Sequence, residues 1–264
     1  MKLSILMPVY NEEASVARAL KLALAVDYPC ETEIVVVNDG STDRTADVLA
    51  ALDDPRLRVI DAGRNQGKGA AIRLAADRAA GEYVIILDAD LEYDAQDIPR
   101  LLAPVLEGRA NVVYGSRQFG SHSAYSFWYV IGNKGVALAA NIIFNSYISD
   151  VETCFKLMPT ELYRSLDVRS KGFGMEAEIT GKLLRRRIRP YEVPISYQAR
   201  SREEGKKITV WDGVEALLIL GRERIRSSTT RTTQRPSADL KSIDASTTMV
   251  NPSSSAERSG KTEA

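Results

Sequence analysis

The sequence contains only two cysteines, Cys30 and Cys154, which lie far apart in a chain of 264 residues. A short disulfide-stapled or collagen-like protein is therefore excluded. The first residues, MKLSILMPVYNEE, lack the charged n-region, the uninterrupted apolar stretch and the cleavage site of a signal peptide. We therefore expect a reducing, cytoplasmic environment.

The chain also lacks a net charge and long apolar runs. Its 35 lysine and arginine residues balance 35 aspartate and glutamate residues, so no global charge attracts nucleic acid and we expect no nucleic-acid partner. A membrane-spanning helix needs roughly 18 consecutive apolar residues. The best stretch, residues 127–148, is interrupted by Asn133, Lys134, Asn141 and Asn145, so we expect the chain not to span a bilayer.

Composition divides the chain into two parts. Its length and a hydrophobic content of 44% predict one folded domain, which we assign to residues 1–226. Residues 227–264 hold nine serines and seven threonines and hardly any apolar pattern, so we expect a disordered tail.

The domain begins with short β-branched runs that alternate with segments of helical period. These runs occupy residues 3–9, 33–38, 56–61, 83–87 and 111–114. The alternation predicts an α/β fold with a mostly parallel sheet and helices on both faces. We expect Ser41 to cap a helix that begins at Thr42, and residues 67–80 to form a helix after a glycine turn.

The pattern changes after about residue 116. A long mixed apolar segment follows, and beyond it the sequence predicts strands at 153–158 and 189–195 and helices at 175–186 and 209–224. We expect this half of the domain to bind a second substrate.

Polar residues follow each of the first four predicted strands, and sheets of this kind bind ligands at the carboxyl ends of their strands. Asp39 follows a short apolar strand and precedes Gly40. We expect its carboxylate to be exposed above the sheet, where it can accept a hydrogen bond from a base or a ribose. An Asx turn before a helix is the alternative interpretation.

Asp88, Asp90 and Glu92 lie in the sequence DADLE directly after the fourth predicted strand. Carboxylates two positions apart repel each other unless a cation or hydrogen-bond donors compensate. Mg²⁺ or Mn²⁺ is a natural compensation, because it keeps coordination positions open for a diphosphate. The alternative is that Asp88 ends the strand and Asp90 caps a turn.

Residues 63–69, GRNQGKG, match a phosphate-binding P-loop only in part. Three residues rather than four separate the first glycine from the Gly67-Lys68 pair, and Gly69 stands where serine or threonine is needed. We therefore do not expect ATP or GTP hydrolysis. Lys68 and a helix N-terminus could face an anion, whereas a solvated lysine after a glycine turn is the alternative.

The motifs PVYNEE, VNDGSTD, NQGKGAA, DADLE and GSR, in this order, resemble the nucleotide-sugar domain of inverting family 2 glycosyltransferases. Three later motifs, DVETCFK, FGMEAEI and SYQARSREEGKK, are similar to the branch that transfers mannose or glucose to dolichyl or polyprenyl phosphate. The resemblance covers about residues 3–224. It implies a GT-A fold, GDP-mannose or UDP-glucose as donor, Mg²⁺ or Mn²⁺, and a polyprenyl phosphate acceptor. Residues 1–117 would form the nucleotide-sugar half, and residues 118–226 the acceptor and membrane-facing half.

The resemblance also implies roles for individual residues. The nucleotide pocket would be lined by Pro8, Tyr10, Glu12 and Asp39. The metal would be surrounded by Asp88, Asp90 and Glu92; many relatives have glutamine where this chain has Glu92. The residues that match family positions around the donor diphosphate or the acceptor phosphate are Arg117, Arg200, Arg202 and Lys206.

A lipid phosphate acceptor needs no strong general base, because its second pKa lies near ~6 and its oxygens are anionic at pH 7. This agrees with a single histidine, His122, in a loop-like context where we expect it to be solvated. Asp150 and Glu152, at the start of a strand-like segment, are candidates for orienting the acceptor. Capping or a salt bridge is the alternative role for both.

The second half also offers apolar and basic surface. Residues 127–131 and 136–144, with Lys134 between them, suit an amphipathic helix at a membrane interface. The basic residues that could meet anionic headgroups are Lys182, Arg185, Arg186, Arg187 and Arg189. A core helix and a solvated charged face are the alternatives. Chiefly from the resemblance, we expect peripheral contact with the cytoplasmic face of a membrane.

Two other functions stay open at this point. The same donor site could serve a soluble glycan or a small metabolite, or the chain could be a nucleotide-sugar binding module without catalysis. The choices between GDP and UDP, and between mannose and glucose, depend on single contacts that the motifs do not resolve.

Overall fold

The computed structural model describes residues 1–118, 127–172, 174–199 and 210–226. Residues 1–226 belong to one compact unit. The predicted disordered tail at 227–264 and the predicted solvated His122 lie outside the described residues. The division of the domain into two functional halves stays a prediction.

A seven-stranded sheet forms the centre of the fold. Its strands are β1 (Lys2–Val9), β2 (Glu31–Asn38), β3 (Leu57–Asp61), β4 (Tyr83–Ile86), β5 (Val113–Ser116), β6 (Lys156–Pro159) and β7 (Tyr191–Pro194). They lie in the order β3-β2-β1-β4-β6-β5-β7. The first four strands pair in parallel, and β6 runs antiparallel to both of its neighbours. The predicted mostly parallel sheet is confirmed.

Helices follow or separate these strands. They are α1 (Val16–Leu24), α2 (Thr45–Ala50), α3 (Lys68–Arg78), α4 (Ile98–Leu106), α5 (Phe127–Phe144), α6 (Thr160–Ser165), α7 (Met175–Arg185) and α8 (Val210–Ile225). Helix α3 packs against β1 and β2, and α5 packs against α8. Within the described part of the chain, none of the helices is both long and apolar enough to cross a membrane.

The central strands are buried on both faces. In β1, residues 3–7 are all buried, and in β2 residues 34–38 are all buried. Successive side chains of a strand point to opposite faces, so both faces of the sheet are covered. Because β1, β2 and β4 run parallel side by side, their carboxyl ends meet at one edge of the sheet.

Helix α2 begins later than the sequence predicts. Its first residue is Thr45 rather than Thr42, and Ser41 does not cap it. The Ser41 hydroxyl instead accepts a hydrogen bond from the backbone N–H of Asn11 at 3.0 Å. The Asp43 carboxylate accepts from the backbone N–H of Thr45 at 3.0 Å. The predicted cap is wrong because the serine joins two loops, while an aspartate fixes the first turn.

The predicted strand at 153–158 starts only at Lys156. The Lys156 ammonium group donates hydrogen bonds to the carbonyl oxygens of Val151, at 2.8 Å, and Thr153. These carbonyl groups therefore face a side chain rather than a neighbouring strand. Strand β6 therefore begins only after this turn.

Candidate active site

Hydrogen bonds join the loops that follow β1 and β2. Asn11 Oδ1 accepts from the backbone N–H of Thr42 at 2.8 Å. The backbone N–H of Glu12 donates to the Thr45 hydroxyl at 2.9 Å, and the Glu12 carboxylate accepts from the Ser15 hydroxyl at 2.6 Å. The same end of β1 carries the half-buried side chains of Pro8 and Tyr10. The residues predicted to line the nucleotide pocket thus share one edge, and their role stays a prediction.

Asp39 holds the loop that leads into α3. Its two carboxylate oxygens accept from the backbone N–H groups of Gln66 at 2.9 Å and Gly67 at 2.8 Å. Gly67 has φ +94°, and a Cβ at this position would collide with the carbonyl oxygen of Lys171. Asp39 is only 2% exposed. Its predicted exposure is therefore wrong, because the carboxylate is used to fix this loop; its part in nucleotide binding stays a prediction.

Lys68, the first residue of α3, connects two carboxylates. Its Nζ lies 2.8 Å from Asp88 Oδ2 and 2.8 Å from Glu176 Oε1. Burial by itself would lower the pKa of Lys68, but the two carboxylates outweigh burial and hold this pKa well above its ordinary value. Lys68 is therefore not a solvated lysine. The negative groups that Lys68 Nζ contacts at these distances are the carboxylates of Asp88 and Glu176.

The loop after β4 turns at Asp90. Asp90 Oδ1 accepts from the backbone N–H of Glu92 at 3.0 Å, and Leu91 between them has φ +64°. The buried Glu92 carboxylate accepts from the Tyr197 hydroxyl at 2.7 Å. Asp90 thus makes the turn that was the alternative interpretation, and Glu92 points to the segment that follows β7.

The three predicted metal ligands do not form one cluster. Among the described residues, no group of three or more histidine, cysteine, aspartate or glutamate side chains could hold a metal ion. The role of Asp88, Asp90 and Glu92 as metal ligands stays a prediction. The Glu92 carboxylate already accepts a hydrogen bond from a tyrosine hydroxyl, whereas the two aspartates lie directly after β4.

Arg117 and Asp150 form a buried bidentate ion pair. Arg117 Nε and Nη2 each donate to one Asp150 oxygen at 2.7 Å. Burial by itself would raise the pKa of Asp150, but the guanidinium group outweighs it and lowers this pKa below its ordinary value. The guanidinium carbon also lies 5.1 Å from the centre of the Tyr197 ring. For Asp150, the structure has the salt bridge that was the alternative role.

Glu152 lies in the turn before β6 and is half-buried. Its Oε1 is buried and has no hydrogen-bond partner among the described residues. Burial, and after it the Glu176 carboxylate, raise the pKa of Glu152 to about 8. Sequence reasoning did not single out Glu176. The available signal was a glutamate within the first turn of a predicted helix, in the motif FGMEAEI.

The predicted phosphate-binding residues Arg200, Arg202 and Lys206 lie outside the described residues, and their role stays a prediction. The chain that leads to them is well fixed up to residue 199. The backbone N–H of Gln198 donates to the carbonyl oxygen of Glu92 at 2.9 Å. This segment therefore leaves the sheet next to the loop after β4.

Two curated relatives are transferases. The chain is 29% identical over 206 residues to the low-salt glycan biosynthesis hexosyltransferase Agl6 of Haloferax volcanii. This alignment covers 76% of the present chain and 49% of the relative. The chain is also 38% identical over 130 residues to an undecaprenyl-phosphate 4-deoxy-4-formamido-L-arabinose transferase of Pseudomonas aeruginosa. This second alignment covers 47% of the present chain and 38% of the relative. The matched regions are about half or less of these relatives' length.

A solved structure has the same fold. It is the glucosyl-3-phosphoglycerate synthase of Mycobacterium tuberculosis in complex with Mn²⁺, UDP and glucosyl-3-phosphoglycerate, with a TM-score of 0.64 and 21% identity over 88% of this chain and 84% of that chain. This likeness confirms the GT-A fold that the resemblance implied. The family model for glycosyl transferase family 2 matches residues 4–167. The chain therefore belongs to glycosyl transferase family 2.

Proposed function

We propose that this family 2 glycosyltransferase transfers a hexose from a nucleoside-diphosphate sugar to a polyprenyl phosphate, with a divalent metal ion and with inversion at the anomeric carbon. The observation that carries the proposal is the pair Asp88 and Asp90, directly after β4 at the edge where the carboxyl ends of β1, β2 and β4 meet. The names of the Haloferax and Pseudomonas relatives support the hexose and the lipid phosphate.

The donor is GDP-mannose or UDP-glucose. Its nucleotide would lie at the ends of β1 and β2, beside Tyr10 and Glu12 and above the loop that Asp39 holds. The UDP bound by the Mycobacterium tuberculosis synthase supports a nucleoside diphosphate as the common part of the donor. A fixed loop suits this task, because a preorganised site loses less entropy when the ligand binds.

Asp88 and Asp90 fit a divalent metal. Mg²⁺ is usually held by one or two carboxylates and takes its other ligands from water and substrate phosphates. Both aspartates are half-buried, so they are shielded and still reachable from solvent. When bound, the metal would stabilise the negative charge that develops on the departing diphosphate. Lys68 Nζ lies 2.8 Å from Asp88 Oδ2, so this lysine would keep the carboxylate oriented for the metal.

The reaction is a displacement at the anomeric carbon. An oxygen of the lipid phosphate forms the new bond to this carbon from the face opposite the leaving group. The bond from the carbon to the diphosphate oxygen breaks, and its electron pair leaves with the nucleoside diphosphate. No proton must be removed from the nucleophile, because a phosphate monoester is anionic near neutral pH.

Basic residues would bind the phosphates. We assign this contact to Arg200, Arg202 and Lys206, which follow the segment that is fixed beside Glu92. Arg117 uses Nε and Nη2 of its guanidinium group on Asp150. Its contribution would therefore be positive potential and a fixed position for Asp150, rather than a bidentate contact with phosphate.

Two helices offer a surface for the lipid. In α5, Phe127, Ile131, Leu138 and Ile142 are exposed at spacings that place them on one face, and in α8 the exposed Trp211 lies on a helix that packs against α5. The basic residues at the end of α8 are Arg222, Arg224 and Arg226. An apolar stripe beside basic side chains suits the cytoplasmic face of a membrane with anionic lipids.

Label transfer to lipid tests the proposed function. The purified 264-residue chain is incubated with Mn²⁺ or Mg²⁺, polyprenyl phosphate and either radiolabelled GDP-mannose or radiolabelled UDP-glucose, and the label that enters organic solvent is counted. Label in the solvent with one donor, lost when EDTA is added, is the expected result. Parallel reactions contain a water-soluble phosphate or glycan in place of the lipid.

The outcomes separate the alternatives. Label that enters only the soluble product would replace the lipid acceptor with a soluble one. Donor binding by calorimetry without any transfer would make the chain a binding module. Transfer that is unchanged by EDTA would remove the metal from the proposal.

A further inference from the structure

Charged side chains from several elements form an electrostatic network that reaches Asp88 through Lys68 and Glu176, and all of them are buried or half-buried. The three cations and four carboxylates of this network are Lys68, Arg117, Lys156, Asp88, Asp150, Glu152 and Glu176. With every group ionised, the network has one negative charge in surplus. A buried surplus charge is unfavourable unless a proton or a ligand compensates it.

The ion pairs identify the carboxylates that carry the surplus. Arg117 and Asp150 neutralise each other. Lys68 is shared, since it lies 2.8 Å from an oxygen of Asp88 and 2.8 Å from an oxygen of Glu176. Glu176 is only 3% exposed, and its second oxygen has no partner among the described residues. Glu152 Oε1 is unpartnered in the same part of the protein.

Glu152 is the carboxyl group of this network whose pKa is raised. Burial and the Glu176 carboxylate raise its pKa, Lys156 and Arg117 lower it, and Asp150 raises it again, with a resulting pKa of about 8. The raised pKa favours the neutral acid over the carboxylate. A neutral carboxyl group donates a hydrogen bond through its O–H and accepts one through its carbonyl oxygen.

We propose that Glu152 is a specificity-determining residue that binds a hydroxyl group of the transferred hexose through its unpaired carboxyl group. The inference rests on the proposed function, because it needs a nucleotide sugar in the site. It is also consistent with position: Glu152 belongs to the network that contains Asp88, the residue assigned to the metal and diphosphate.

The chemistry of the group favours a sugar hydroxyl over a phosphate. A hydroxyl both donates and accepts, so it matches a neutral carboxyl group on both counts. A deprotonated phosphate oxygen only accepts, and arginine or lysine binds it more strongly. A site that hydrogen-bonds a substrate hydroxyl also discriminates against sugars that lack it, because the buried carboxyl group is then left unpaired.

Binding measurements isolate the contact with the sugar. Calorimetry with Mn²⁺ gives dissociation constants for UDP-glucose and GDP-mannose, and for UDP and GDP, which lack the sugar. Glu152→Ala is expected to raise the Kd of the preferred nucleotide sugar about tenfold, as for one lost hydrogen bond. The Kd of the bare nucleotide is expected to stay unchanged. Glu161→Gln, at an exposed position of α6, is the control and should change neither constant.

The pH dependence of binding tests the protonation of Glu152 separately. Wild-type affinity for the nucleotide sugar should fall as pH rises above about 8, since the neutral acid is then lost. Glu152→Gln keeps a donor and an acceptor but does not titrate, so its affinity should match the wild type at pH 7 and show no such fall. Burial lowers the pKa of Lys156 to about 8 as well, and this lysine is present in both proteins. A fall that persists in Glu152→Gln would therefore come from another group and would overturn the inference.

These results distinguish the inference from the function on which it rests. If the wild-type protein binds neither nucleotide sugars nor nucleotides, the proposed function fails and the inference with it. If it binds them, and Glu152→Ala weakens bare nucleotide as much as nucleotide sugar or weakens neither, only the inference is overturned. If the alanine variant does not fold, the pH profile of Glu152→Gln decides, and a profile like the wild type overturns the inference.

Discussion

The loops after β1 and β2 and the loops around β4 and β6 use polar side chains in different ways. In the first region, Asn11 and Asp39 accept from backbone N–H groups, so each polar side chain fixes the path of a neighbouring loop. In the second region, Lys68 and Arg117 pair with carboxylates, and two carboxylate oxygens in the described residues have no partner.

The polar side chains of the first region fix the shape of loops, whereas those of the second region hold charged groups close together. A carboxylate that accepts from two backbone N–H groups, as Asp39 does, has a structural role because it fixes a loop. A shared lysine and an unpaired carboxyl group leave charge and hydrogen-bonding capacity unused, and such buried capacity is typical of sites that bind substrate. We therefore assign the chemistry to the second region and the fixed nucleotide platform to the first.

The largest expected effect is on the second region. Asp90→Ala should lower kcat/KM for transfer about 1000-fold, the equivalent of about 4 kcal/mol, because it removes a proposed metal ligand. The fold should persist, since the hydrogen bond that Asp90 accepts from the backbone N–H of Glu92 spans only two residues. Steady-state kinetics and a thermal melt check both statements. Transfer that stays within tenfold of the wild type would take the metal away from this residue.

Breaking the buried ion pair should cost stability. Arg117→Ala leaves the Asp150 carboxylate buried and unpaired, which typically costs about 3–5 kcal/mol. Urea unfolding of the variant should show a clearly lower midpoint. Arg56→Ala removes an exposed partner of Asp54 and serves as the control, with an unchanged midpoint. Equal midpoints for the two variants would show that the buried Arg117–Asp150 pair contributes no more to stability than the exposed Arg56–Asp54 pair.

The first region should respond through a loop. Asp39→Ala removes the acceptor of two backbone N–H groups, and a hydrogen bond to a charged group contributes about 1.5–3 kcal/mol. We expect a lower urea midpoint and faster amide exchange at Gln66 and Gly67. Unchanged exchange at these two residues would mean that Asp39 does not fix the loop and is available for the nucleotide.

A smaller effect concerns the pH dependence of stability. Glu152 has a folded pKa of about 8 against an ordinary value of 4.5, so the folded protein keeps this proton longer than the unfolded chain does. Its stabilising contribution is complete below pH 4.5 and is lost as pH rises toward 8. Glu152→Gln should remove this loss. Its urea midpoint should therefore fall less between pH 5 and pH 8 than the wild-type midpoint does, and parallel pH profiles would contradict the shifted pKa.

The smallest effect on the fold is expected at the exposed apolar face. Ile142→Ser on α5 removes a side chain that is 73% exposed, so the melting temperature should stay nearly unchanged. Sedimentation with vesicles that contain anionic lipid should show weaker binding than for the wild type. Vesicle binding equal to that of the wild type would remove this face from the proposed membrane contact.

Local pattern was sufficient to predict the main strands and the edge that carries the site. The apolar run at residues 34–37 predicts a central strand, and it is buried within β2. Side-chain partners far apart in sequence could not be predicted, because nothing local to Lys68 indicates Glu176. For the same reason the sequence could not show that Glu92 meets Tyr197. The start of α2 was missed because Ser41 and Asp43 are both good capping residues, and only the neighbouring loop decides between them.

The most direct test of the proposed transfer is the identity of the lipid product. The organic phase of a reaction with wild-type protein, metal, donor and polyprenyl phosphate is analysed by mass spectrometry and by NMR of the anomeric proton. We expect a lipid phosphate that carries one hexose, with the anomeric configuration inverted relative to the donor. A product with retained configuration, or lipid phosphate without any added hexose while the donor is consumed, would contradict the proposal.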